Sequence, residues 1–178
     1  MRREDLEHLI RAAGAISGSR RIVVIGSQAI LGQFPHGAPP RAVLSMEADL
    51  LPIDAPEMSD LLTGSLGELS PFHEAFGYFG DGVSRETARL PSGWEQRLVA
   101  IDNANTQGTV GLCLEVHDLL IAKYVAGRDK DHEFCAAVVG AGLVDRLVLF
   151  DRLAATELDA AGRARVGQRI EIDFTAAS

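Results

Sequence analysis

The chain has two cysteines, Cys113 and Cys135. Both lie in apolar surroundings without metal-like spacing, which argues against a disulfide framework or a thiolate zinc site and for reduced, buried thiols. His36, His73, His117 and His132 show no zinc spacing either and suit capping or surface roles. No apolar run approaches the roughly 18 residues of a membrane span, and the charged stretch from Arg2 to Glu7 is unlike a signal peptide. A soluble, cytoplasmic protein with no membrane partner is the expectation. Basic side chains are outnumbered, 17 Lys and Arg against 25 Asp and Glu, for a net charge of −8 and a pI near 5.1. That balance argues against broad adhesion to nucleic acid or anionic membrane. RNA would need a local cationic surface, for which Arg85, Arg89, Arg97, Lys123, Arg128 and Lys130 are the candidates. Internal repeats and low-complexity tracts are absent. So are a Walker-type lysine, a three-glycine dinucleotide pattern and any recognisable Ser-His-Asp or Cys-His arrangement.

At 178 residues and 47% hydrophobic composition the chain fits one domain with a substantial core. Residues 3–16 place Leu6, Leu9, Ile10, Ala13 and Ile16 at helical spacing. A β-branched run over 20–25 then ends at Gly26-Ser27 and leads into a short helix from Gln28 to about Gly32. The proline-rich stretch 33–41 is a loop, and a strand is expected over 42–51. Residues 55–69 carry a helical stripe. Residues 70–90 look irregular apart from a short strand near 83–90. Strands follow at 97–101 and 109–114, joined by short loops that suggest a mixed or antiparallel sheet edge. Helices are expected over 117–126, 129–139 and 143–155, and Ile170, Ile172 and Phe174 alternate near the end. This order reads as an α+β (or α/β-like) fold, a mixed sheet flanked by helices: a core over 1–115 and a C-terminal helical part over 116–178 packed on it as one compact unit.

The chemistry concentrates between Arg21 and Pro52. A Gly-Ser turn between a buried strand and a helix offers backbone amides and a hydroxyl that suit a phosphate, although such a turn also serves as a plain N-cap. On the next strand Glu47 and Asp49 project from one face, about 7 Å apart at ~3.3 Å rise per residue. They could be a solvated face. Yet the strand is apolar on both sides of them, and paired like charges there call for a cation. Mg²⁺ takes one or two carboxylates, with water and substrate phosphates completing its shell.

The pattern Ile25-Gly26-Ser27 followed by Glu47-Ala48-Asp49 resembles the active-site signature of the nucleotidyltransferase (DNA polymerase β-like) superfamily. The run from Glu115 to Asp131, with Lys123 on a helix and Arg128-Asp129-Lys130-Asp131 at a turn, is similar to minimal bacterial nucleotidyltransferases that act as toxins of AbiE-type toxin–antitoxin pairs. The resemblance covers residues 20–140. It implies transfer of a nucleoside monophosphate from a Mg-bound nucleoside triphosphate to an RNA (such as tRNA) or protein acceptor, with an antitoxin as a further partner. By the resemblance, Gly26, Ser27, Lys123 and Arg128 hold phosphates, Asp131 supports that site, and Glu47 and Asp49 hold metal. A third carboxylate is expected on a neighbouring strand. Asp102 is the first candidate, with a plain turn role as its rival, and Glu95 the second. Arg97 is either a phosphate contact or an exposed strand arginine, and Lys123 either a phosphate contact or a solvated side chain. Trp94 is either a base-stacking or a core aromatic. The departures are Glu47 where the family carries Asp and a longer spacing from Ser27 to Glu47. They keep open a catalytically degenerate nucleotide-binding or protein-interaction module, or a structural subunit.

Overall fold

A computed structural model describes residues 1–177. It is an α+β fold: a mixed five-stranded sheet in the order β3-β2-β1-β5-β4, flanked by helices. The strands are β1 (Arg21–Val24), β2 (Glu47–Pro52), β3 (Phe79–Gly82), β4 (Val99–Ile101) and β5 (Val110–Cys113). β1 runs antiparallel to β2 and parallel to β5. β2 and β3 are parallel, and β4 closes the far edge antiparallel to β5.

Helix α1 (Arg3–Ser17) follows from its stripe, since Leu6, Leu9, Ile10 and Ala13 are fully buried. It stops at Gly18, which takes a left-handed φ of 72° and donates its N–H to the Gly14 carbonyl at 2.9 Å. The helix can press onto the sheet because Gly80 and Gly111 lie beneath Leu9 and Ile10, where any added side-chain carbon would collide. After the Gly-Ser turn the chain makes a 3₁₀ turn at 27–29 and a single turn of helix, α2 (Ile30–Gln33). Helix α3 (Ser59–Leu66) covers the β3 side, and the Thr63 hydroxyl accepts from the Gly82 N–H at 2.9 Å.

Four expectations are corrected. Residues 40–43 form a 3₁₀ turn, because Pro40 presets its first position and supplies no ladder donor, so the acidic strand starts only at Glu47. Residues 71–76 are a helix, α4 (Pro71–Phe76), with Ser70 as N-cap accepting from the His73 N–H at 3.2 Å. The expected strand at 83–90 is a loop. There Ser84 and Thr87 cap a 3₁₀ turn, a local bonding pattern that competes with a ladder. At the C-terminus the apparent alternation belongs to a helix, α8 (Ala160–Ala177), whose buried face is Val166, Ile170 and Asp173, while Ile172 is exposed.

The remaining helices are α5 (Val116–Ala126), α6 (Asp129–Gly140) and α7 (Arg146–Ala154). Their core residues Leu119, Leu120, Ile121, Phe134, Val138, Leu149 and Ile170 join one hydrophobic cluster with the sheet and α1, although Ser178 lies outside the described residues. Asp118, the second residue of the His117-Asp118 pair, is fully buried and anchors this joint. It accepts from Arg97 at 2.8 and 3.1 Å, and Arg152 Nε lies 3.1 Å away without hydrogen-bond alignment. Arg97 is therefore committed to Asp118 rather than free for a ligand. Both cysteines are buried and free, and burial pushes the Cys113 thiol up to about 12, so neither is poised as a nucleophile.

Candidate active site

The antiparallel pairing of β1 and β2 brings the end of one strand to the start of the other. Val24 faces Leu50, and the Ile25 N–H donates to the Asp49 carbonyl at 3.1 Å. The bend at Gly26-Ser27 and the acidic strand are thereby joined directly. A methyl group built on Gly26 would overlap Asp49 Oδ2, so glycine is required here for the carboxylate to lie over the bend. Glu47 stands two residues earlier on the same face of β2. Behind the bend, fully buried Gln28 donates to the Ser45 carbonyl at 3.0 Å, fixing the bend against the segment that enters β2. The Ser27 hydroxyl has no protein partner among the described residues.

Facing this pair across a cleft of about 660 Å³ is the start of the helical part. Lys123, one of the chain's two lysines, is only 7% exposed. Its Nζ donates to Asp131 Oδ1 at 2.9 Å and sits 5.1 Å from the centre of the Phe134 ring. Asp131 is fully buried and also accepts from Arg128 Nε at 2.7 Å while capping α6. The solvated reading of Lys123 is thus wrong. The Arg128 side chain is 60% exposed and reaches the cleft with Arg41, Arg89 and Lys130 along its rim.

The charges are set against one another. Burial and then the Glu47 charge push the Asp49 carboxyl up, and only Lys123 and Arg128 pull it back. Asp131 goes the other way: burial opposes it, but the bonds from Arg128 and Lys123 hold it below the ordinary carboxylate value. A carboxylate disfavoured in its charged form by burial and a neighbouring acid, beside a lysine and an arginine, is suited to a cation and a polyanion together. Two hard carboxylates fit Mg²⁺ in the way that leaves its other positions to substrate oxygens. Among the described residues no three His, Cys, Asp or Glu side chains are grouped so that they could hold a metal ion together, so the acids here are a pair.

The structure does not bring Asp102 to this cleft. It follows β4 at the far edge of the sheet, where Ile101 pairs with Gly111 and Gly111 with Ile22, at the end of β1 remote from Gly26. Glu95 is paired with Arg85, whose guanidinium also lies 5.8 Å from the Trp94 ring, so the Trp94 face already has a protein partner. A neighbouring acid that sequence reasoning missed is Asp81, although it is not among the cleft's lining residues. It is the register partner of Asp49 on β3, so both side chains leave the sheet on the same face. Burial, then Glu47 and Glu68, push its carboxyl up. Its sequence signal was weak, because Phe79-Gly80-Asp81-Gly82 reads as a glycine-rich turn.

A family model described as a nucleotidyltransferase of unknown function, DUF6036, matches residues 4–168 of this chain. No curated protein and no solved structure matches it.

Proposed function

The chain belongs to the DUF6036 family of nucleotidyltransferases, and on that premise we propose that it transfers a nucleoside monophosphate from a Mg-bound nucleoside triphosphate to an RNA or protein acceptor. The observation that carries this reading is the lodging of Asp49 over Gly26, with Glu47 beside it and Lys123 and Arg128 across the cleft. The Ser27 hydroxyl and the bend's amides would take phosphate oxygens, and Arg128 would offer a planar fork to the same group. Lys123, oriented by Asp131, would supply a fixed positive charge where charge develops in the transition state. Glu47 and Asp49 would hold Mg²⁺, which when bound neutralises the phosphates and lowers the pKa of a coordinated hydroxyl. Asp81, the neighbour of Asp49 on β3, would accept the acceptor's proton. The acceptor oxygen then bonds to the α-phosphorus, the bond to the bridging oxygen breaks, and pyrophosphate leaves. The rim cations Arg41, Arg89, Arg128 and Lys130 would contact an RNA backbone, and a toxin–antitoxin role would add a protein partner.

The lack, among the described residues, of a third acid grouped with Glu47 and Asp49 to hold a metal favours a second reading, a catalytically degenerate nucleotide-binding module. Incubation with α-labelled nucleoside triphosphates, RNA and protein acceptors separates the two. Label should be transferred if the enzyme reading holds, and nucleotide binding without transfer supports the module.

Two variants locate the chemistry. Asp81→Asn should lower transfer by about 100-fold, the usual worth of a positioned acid–base group, while Asp102→Asn leaves it unchanged; the reverse outcome would return the role to Asp102. Gly26→Ala should displace the Asp49 carboxylate and cost about 100-fold in transfer, as misplacement by an ångström does. A Gly26→Ala enzyme of full activity would show that Asp49 is not needed in its present position.

A further inference from the structure

We propose that a second groove, between α5, α6 and α8, binds a small amphipathic anion: one carboxylate, sulfonate or phosphate on an apolar body. The groove holds about 520 Å³, within the range of small-molecule sites. Its apolar wall includes Leu158, Val166 and Ile172, and its polar wall is His132, Arg165 and Arg169. None of its lining residues is acidic, in a chain of net charge −8. That local reversal of sign is the observation that selects an anion.

The neighbouring Asp173 compensates Arg169 and leaves Arg165 as the unpaired cation of the wall among the described residues. Its Oδ2 accepts from the Tyr124 hydroxyl at 2.9 Å, and its Oδ1 lies 3.2 Å from Arg169, fixing that guanidinium in the wall. Arg165 is exposed and has no ion pair among the described residues. Two further polar atoms of these side chains, His132 Nδ1 and Arg169 Nε, are buried without a hydrogen-bond partner among the described residues. A guanidinium pairs with carboxylate, sulfonate or phosphate oxygens in a fork geometry, and the apolar wall accommodates the rest of the ligand.

This groove adjoins the nucleotide cleft, since Val125 and Ala126 line both. Lys123 and Asp131 line the cleft, whereas the next residues in each helix, Tyr124 and His132, line the groove. The two sites therefore meet along α5 while drawing on different polar side chains.

The test is a fluorescence titration of the full chain with 8-anilinonaphthalene-1-sulfonate, an aryl sulfonate that brightens in an apolar site. One saturable site per chain is expected. Arg165→Glu should weaken it by about tenfold or more, the worth of a charge-assisted hydrogen bond. Arg89→Glu, the same charge change on the cleft rim, should leave it unaltered. Equal binding by wild type and Arg165→Glu would overturn the site. So would equal weakening by both variants, which would mean that the probe senses net charge alone. Non-saturable brightening, or loss on Arg89→Glu alone, would overturn it as well.

Discussion

Asp49→Asn is expected to lower nucleotide transfer by roughly a thousandfold without destabilising the fold. Loss of a metal-held carboxylate forfeits several kcal/mol of transition-state stabilisation, and each 1.36 kcal/mol is a factor of ten. Stability should hold or rise, since burial and the Glu47 charge both disfavour the ionised Asp49. Steady-state transfer assays and thermal melts on the two proteins check both halves. A melt lowered by several degrees with transfer intact would assign Asp49 a packing role.

Asp131→Asn should do the opposite, costing about 3 kcal/mol of stability because it strands a nearly buried lysine. For a chain of this size that is a fall of roughly 10 °C in Tm. Arg128→Ala should cost under about 1 kcal/mol, its side chain being mostly solvated. A double replacement, Lys123→Met with Asp131→Leu, should recover much of the loss, as swapping a buried pair for apolar groups commonly does. The acid limb of stability has a fixed sign. Asp131 is held below its ordinary value of 3.8, so its contribution is complete above that pH and fades as pH falls through its folded value. The raised Asp49 and Asp81 act in the other sense, since protonation relieves them first in the folded chain. Chemical denaturation at pH 3 and pH 7 should show a smaller acid loss in Asp131→Asn than in wild type. An equal loss would mean that Lys123 does not depend on this partner.

The sequence made much of this legible because its signals were periodic. Leu6, Leu9, Ile10 and Ala13 could only be one face of a helix, and the alternation of Glu47, Ala48, Asp49 and Leu50 survives in β2 with the acids on one face. The acidic strand starts late because proline chemistry at 39–40 won over apolar composition at 42–46. Ile170 and Phe174, four apart, fit a helix of period 3.6 as well as a strand, and burial at Val166 and Ile170 with Ile172 exposed decides for the helix. Strand order was not legible. Only the pairing of β2 with β3 reveals that Asp81 lies beside Asp49, and only the placement of β4 at the far edge removes Asp102. The partners of Arg97 and Lys123 were equally hidden, since Asp118 and Asp131 are 21 and 8 residues away. Long-range pairing leaves no local trace in composition.

Calorimetric titration of each nucleoside triphosphate into wild type and Asp49→Asn, with and without Mg²⁺, asks most directly whether a polyphosphate and its cation sit between the glycine bend and the paired acids. Saturable binding that requires Mg²⁺ in wild type and vanishes in Asp49→Asn is the predicted result; binding of equal strength in both proteins, or none to wild type with any nucleotide, would contradict it.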